Sequence, residues 1–211
     1  MLKIGLTGNI GSGKTLVSMV FSTMGIPVFH ADEESKKFLD DPMVKNEILK
    51  HFGYGILTND HKVNTRSLAT IVFTDGNALK LLNSILHPRV MRDFHLWAEL
   101  NSGQHYVIQE AAIILESGFK SEYDYIIHVS CPKETAIDRV IKRDRIDGNS
   151  VLRRMQFQLD DAEKSRLSDF VILNDGSQMV IPQVLSIHRQ LLAIESGRDN
   201  DVATGVLESG T

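Results

Sequence analysis

Short apolar runs alternate along this chain with stretches in which apolar side chains recur every three or four positions. These are the periods of buried strands and of amphipathic helices. The runs fall at residues 4–7, 26–29, 106–108, 125–129 and 170–173. After the first comes a glycine-rich turn, then a helical stripe of Leu16, Val17, Val20, Phe21 and Met24, with Gly25 as its stop. The stripe predicts a helix over 14–24. Five short buried strands separated by helices predict an α/β three-layer fold with a five-stranded parallel sheet.

The alternation lapses between Asp32 and Gly103, where two helical stripes stand without a strand. One is Ala78, Leu79, Leu82, Ile85 and Leu86; the other is Val90, Met91, Phe94, Trp97 and Ala98. His87-Pro88 between them reads as a helix break, with Pro88 opening the second helix. A helical insertion between two sheet strands covers the active-site edge, so residues 32–103 are assigned to substrate binding. Residues 1–31 and 104–195 form the core. The polar segment 196–211 lacks helical periodicity and is expected to be a disordered tail.

Composition narrows the classes. Of 211 residues, 42% are hydrophobic and 24% charged, the balance of an ordinary soluble protein, and a net charge of −4 argues against a dedicated nucleic-acid binder. The single cysteine, Cys131, excludes an intrachain disulfide framework and fits a reducing cytosol. No signal peptide or membrane-length apolar stretch is evident, so a cytoplasmic protein without a membrane partner is expected. The eight histidines show no metal spacing, and His87 taken alone reads as a packing residue.

The strongest chemical signal is Gly8-Asn9-Ile10-Gly11-Ser12-Gly13-Lys14-Thr15, a full G-x-x-x-x-G-K-[ST] loop between a predicted strand and a predicted helix. Its glycines let successive N–H groups turn toward phosphate oxygens, and the helix adds its positive end. Lys14 would reach the β- and γ-phosphates and the Thr15 hydroxyl would ligate Mg²⁺.

Asp32 ends the second predicted strand. It reads either as a general base near the γ-phosphate, if that strand neighbours the loop strand, or as the N-cap of a helix opening at Glu33. Residues 139–154 hold Arg139, Lys142, Arg143, Arg145, Arg153 and Arg154 against Asp144 and Asp147. Arg139 and Arg143 share a helix face. The segment reads as a cationic lid over transferring phosphates, or as a solvated charged helix. Glu110, ending the third strand, is a candidate Mg²⁺ ligand, and Glu116 a candidate partner of the lid arginines. For both, the alternative is an acid placed at a helix start by the dipole.

Taken together these segments resemble the dephospho-coenzyme A kinase family over about residues 2–190. The matching stretches are GLTGNIGSGKT, HADEESKKF, FGYGIL, NTRSLATIVF, LLNSILHPRV, EAAIILE, Arg139-Val-Ile-Lys-Arg143, Arg154-Met-Gln-Phe-Gln158 and SDFVILNDGS. The ordered set is more specific than the loop alone. The resemblance implies a P-loop core, a helical coenzyme A domain and a lid. It further implies Mg²⁺-assisted transfer of the ATP γ-phosphate to the ribose 3′-hydroxyl of dephospho-CoA; a monomer is expected, with the oligomeric state left open by the sequence. It assigns Asp32 as base, Lys14, Arg139 and Arg143 to phosphates, Arg66, His87 and Glu116 to the substrate side, and Asn174 and Gly176 to the neighbourhood of the adenine. Three positions depart from the family pattern: His30 replaces the first Asp of D-A-D, Glu110 replaces Asp, and Ala112 replaces Pro. A kinase for another nucleoside or small-metabolite hydroxyl is the alternative. A GTPase switch would need an Asn-Lys-x-Asp motif, which is absent, and a non-catalytic ATP-binding regulator would tolerate loss of Asp32.

Overall fold

A computed structural model describes residues 1–205, with side chains up to residue 197. The sheet consists of β1 (Leu2–Thr7), β2 (Val28–His30), β3 (Tyr106–Glu110), β4 (Tyr125–Ser130) and β5 (Phe170–Leu173), all parallel, in the order β2-β3-β1-β4-β5. β1 lies at the centre and is buried along almost its whole length, which explains why it reads as an unbroken apolar run. β3, not β2, is inserted beside it: Leu6 pairs with Glu110, and Glu110 in turn with His30. Asp32 is therefore carried on the far side of β3 from the loop strand, contrary to the adjacency considered from sequence. Each chain crossover must pass over a sheet face, and the crossover through the insertion returns β3 to the centre.

The helices are α1 (Lys14–Thr23), α2 (Ala31–Lys37), α3 (Pro42–Phe52), α4 (Thr65–Val72), α5 (Gly76–Leu100), α6 (Lys133–Asp144), α7 (Gly148–Met155), α8 (Asp161–Leu167) and α9 (Val180–Gly205). Local chemistry sets several of their ends. At the end of α1, Gly25 takes φ 85°; its N–H bonds the Ser22 carbonyl and the Ile26 N–H bonds that of Phe21. This is the paired C-terminal closure that a left-handed glycine permits, and Phe21 and Ile26 join the same core. Asp41, Asn64, Asp147 and Asp160 cap α3, α4, α7 and α8 through their side chains.

Two helix boundaries correct the sequence reading. Asp32 lies inside α2, whose N-cap position is held by His30, so Asp32 is not the cap. Pro88 does not break the insertion in two, because α5 runs continuously through it. The proline leaves a gap in the backbone ladder, and the Arg89 guanidinium donates to the Ile85 carbonyl one turn earlier. Burial of Leu82, Ile85, Leu86, Val90, Met91 and Phe94 on both sides of Pro88 holds the helix together. At the other end of the chain, α9 continues helically through residues 196–205, past its last core contacts at Leu191 and Glu195. Once a packed segment has nucleated a helix, extension needs only one bond per residue. The remainder of the expected tail, 206–211, lies outside the described residues.

Three apolar clusters show how the parts are joined. One packs α1 and α9 against β1, β3, β4 and β5. A second is internal to 39–86, drawing on α3, α4 and the first half of α5. The third, with Phe29, Ala31, Val90, Met91, Phe94, Ala98 and Val107, fastens the second half of α5 to the edge of the sheet. α5 thus belongs to two cores, and His87 sits near the change between them. Among the described residues no helix is long and apolar enough to cross a membrane.

Candidate active site

The loop between β1 and α1 has the backbone its glycines predict. Gly11 and Gly13 take φ 81° and 98°. A Cβ on Gly11 would stand 2.3 Å from the Ala136 carbonyl, and one on Gly13 would stand 2.1 Å from Asn174 Nδ2. Both positions therefore exclude side chains by conformation and by space. Gly13 is the N-cap of α1 and offers no side-chain oxygen, so the first-turn N–H groups stay available to an anion. The Ser12 hydroxyl and Asn9 Oδ1 are buried without protein partners. A hydroxyl left unpaired in this position is suited to donate to a phosphate oxygen.

Lys14 is 9% exposed, and its ammonium donates to the Gly8 carbonyl at 3.0 Å. Burial pushes its pKa down, while the Asp32 and Glu110 carboxylates push it back up. The two carboxylates therefore lie within electrostatic reach of Lys14, although they come from different strand ends. Asp32 is exposed, and its carboxylate accepts no hydrogen bond from a described residue. Its charge also reaches His87. Burial lowers the pKa of that imidazole, and Asp32 opposes the shift. The ring also makes an edge contact with Phe119, centroids 6.0 Å apart. The packing contact expected of His87 is present, and the ring also faces the acid.

Arg139 reaches back from α6 to the loop. Its guanidinium lies 3.5 Å from the Ser12 carbonyl, 3.3 Å from Cys131 Sγ and 3.5 Å from Asn174 Oδ1. Asn174 Nδ2 donates to the same Ser12 carbonyl at 2.7 Å. Arg139 and Asn174 thus meet at the backbone of the loop. Gly176 adopts φ 88°, and a Cβ added there would stand in open space. Arg143 turns instead to its neighbour Asp144, with bonds of 2.7 and 3.1 Å, and the same carboxylate lies 3.5 Å from Arg154.

Glu116 does not meet the lid arginines. It pairs with Lys164 at 2.8 Å and accepts from the Leu159 N–H at 3.0 Å. Lys164 is fully buried, so it needs a countercharge that a solvated arginine does not. Lys164 also donates to the Ala112 carbonyl at 2.8 Å, and Gln158 Oε1 accepts from the Ile10 N–H at 3.0 Å. Asn9 Nδ2 donates to the Leu159 carbonyl at 3.2 Å. The loop is therefore held from outside by the segment before α8. Asp161, at the start of α8, accepts from His128, Ser130 and the Cys131 N–H. None of Lys164, Gln158 or Asp161 had a role assigned from sequence. Their signal is only that of a polar residue near a helix start.

Arg66 stands exposed on α4 and lines a cleft of 490 Å³ together with Thr65, Phe73, Ser150, Arg153 and Arg154. The cleft separates the insertion from α7. Arg154 bridges it, 5.5 Å over the Phe73 ring. No acidic residue lines this space.

Oxygen donors for a divalent cation are present as the exposed Thr15 hydroxyl and Glu110 Oε1, which takes no partner among the described residues. Among the described residues no group of three or more His, Cys, Asp or Glu could hold a metal ion. One or two protein oxygens, completed by phosphates and water, fit Mg²⁺, which retains several waters and is commonly shared with a nucleotide.

A five-stranded parallel sheet with a complete phosphate loop at the end of its central strand defines a P-loop phosphotransferase of the nucleotide-kinase kind. The sequence model of the dephospho-CoA kinase family matches residues 2–179, and the chain belongs to that family. It is 38% identical to the dephospho-CoA kinase of Bacteroides fragilis over 187 residues, 88% of this chain and 91% of that one. Against the dephospho-CoA kinase of Porphyromonas gingivalis it is 33% identical over 189 residues, 89% and 93% of the two chains. The crystal structure of TT1252 from Thermus thermophilus superposes with a TM-score of 0.74 at 30% identity, covering 91% of this chain and 96% of that one. The dephospho-CoA kinase from Campylobacter jejuni shares the fold, with a TM-score of 0.64 at 24% identity, covering 93% and 98%.

Proposed function

We propose that this protein transfers the γ-phosphoryl group of ATP to the ribose 3′-hydroxyl of dephospho-CoA, giving CoA and ADP. What supports this reading most is a phosphate loop with an uncapped helix end and a buried, unpartnered Ser12 hydroxyl, whose Lys14 lies within electrostatic reach of Asp32 and Glu110. The uncapped N-terminus of α1 and Lys14 hold the β- and γ-phosphates. Asp32, exposed and without a hydrogen-bond partner, accepts the proton of the attacking hydroxyl as its oxygen bonds to the γ-phosphorus and ADP departs. Such base assistance is worth about 10² to 10⁴ in rate. Arg139 adds positive charge beside the loop, and Arg143 does so when released from Asp144. Thr15 and Glu110 would supply the protein oxygens for a Mg²⁺ brought by the nucleotide, and the chemistry that ion would supply is neutralisation of phosphate charge.

On the acceptor side, the insertion 32–103 is the substrate domain. His87 lies against the reacting ribose. The cleft lined by Arg66, Arg153 and Arg154 takes the anionic pyrophosphate of dephospho-CoA, because these three arginines line it and no acidic residue is among its described lining. Residues 139–154 close over it as a lid, and the protein works as a cytoplasmic monomer. Glu116 serves this site indirectly, by fixing Lys164 and the segment that braces the loop.

The test is ADP release from Mg-ATP with dephospho-CoA, adenosine, AMP, pantothenate or shikimate as acceptor. Turnover confined to dephospho-CoA, with CoA as product, is expected. Turnover on another acceptor with none on dephospho-CoA would overturn the acceptor assignment and leave the loop chemistry intact.

A further inference from the structure

His30 and Glu110 are in contact with each other. They are register partners across β2 and β3, so their side chains leave the sheet together. Nδ1 of His30 donates to Oε2 of Glu110 at 2.7 Å. An ionised carboxylate only accepts, so the bond places the ring proton on Nδ1. The carboxylate is 11% exposed and the imidazole 35%. Glu110 also faces Lys14 through its charge, and its Oε1 takes no protein partner. A glutamate has one more rotatable bond than the aspartate it replaces, so its carboxylate reaches farther and is less fixed. The imidazole supplies the missing constraint. It holds one oxygen and leaves the other without a partner among the described residues. His30 occupies the N-cap position of α2 without capping it through its side chain, so its ring is free for this use.

We propose that His30 and Glu110 form one unit in which His30 is a positioning residue. The ring fixes the carboxylate so that its second oxygen meets the divalent cation brought by the nucleotide. The proposal rests on the reading above in which Glu110 contributes to the metal site. It makes the two residues a single device: the long, flexible acid works because the histidine holds it. Partners that orient a ligand carboxylate without touching the metal typically carry about 10- to 100-fold of metal affinity.

The experiment measures Mn²⁺ affinity of the enzyme–ADP complex from the free-ion electron paramagnetic resonance signal, which needs no acceptor and no turnover. His30→Ala is expected to weaken Mn²⁺ by about tenfold while ADP affinity without metal stays unchanged. His30→Asn, whose amide can donate to Oε2, recovers most of that loss. In a Glu110→Gln background, His30→Ala adds no further loss, because the carboxylate it served is gone. Thermal midpoints of all four variants confirm folding, and His30→Asn keeps the test valid should the alanine variant prove unstable. Unchanged Mn²⁺ affinity in His30→Ala, beside a loss in Glu110→Gln, would overturn the unit alone. So would an equal loss from His30→Ala in both backgrounds. Unchanged affinity in Glu110→Gln would remove the metal role of Glu110 and the unit with it, leaving the phosphotransfer assignment to the acceptor assay.

Discussion

Residues 8–15 reach their geometry within one short segment of chain, whereas the groups that face them come from distant parts of the sequence. In the loop, Gly11 and Gly13 set the backbone, Lys14 folds back on Gly8, and α1 begins where the turn ends. Of the groups that face the loop, Asp32 comes from the start of α2, His87 from the middle of α5 and Glu110 from the end of β3. A local motif carries its own constraints and can be recognised wherever it stands. An assembled site depends on strand order, on which helix shares two cores and on which charge meets which. In this molecule the donor half is written locally, and the acceptor half is written in the topology.

That contrast can be broken by substitution. Lys14→Met removes a charge aimed at the transferring phosphoryl group, and kcat is expected to fall by about 10³ while the fold survives. Steady-state kinetics with a melting control checks it. Glu116→Gln leaves Lys164 buried without its countercharge, which is expected to destabilise the protein by about 3 kcal/mol. Urea unfolding would register this as a lower midpoint with unchanged slope. Arg66→Ala removes one charged contact from the α4–α7 cleft, raising KM for dephospho-CoA about 10-fold with kcat and the KM for ATP little altered. If KM for ATP moved instead, the cleft would belong to the donor half.

The smallest effect concerns pH. Burial holds His87 below its ordinary pKa of 6.5, so as pH falls below 6.5 the unfolded ring takes up its proton before the folded one does. Stability therefore declines with acidification until pH passes the folded value, below which the loss is complete. Above pH 6.5 the ring is neutral in both states and contributes no slope. His87→Gln is expected to flatten this part of the stability profile between pH 7 and pH 5, read from denaturant midpoints at each pH.

All five strands and the phosphate loop could be read from the chain because buried parallel strands are unbroken apolar runs and the loop needs specific residue types. Strand order could not be read in the same way. An apolar run does not name its neighbour, so the insertion of β3 between β1 and β2 emerged only in three dimensions. Pro88 looked like a helix break because propensity is local, while the burial that carries α5 through it is tertiary. The pairing of Glu116 with Lys164 was hidden for the same reason. A buried lysine looks like any other lysine until the fold encloses it. Arg139 was read from the charge run as part of a lid and Asn174 only through resemblance, since nothing near them in sequence tells which loop they will meet. The contact of His30 with Glu110 joins residues 80 positions apart, and each alone looked like an isolated departure.

The central claim, that Asp32 is the base joining the two halves, is tested most directly by single-turnover phosphoryl transfer in Asp32→Ala, with nucleotide affinity measured on the same preparation. The account predicts a rate lower by about 10² to 10⁴ with ADP and ATP binding unchanged. A transfer rate equal to that of the unaltered protein would contradict it.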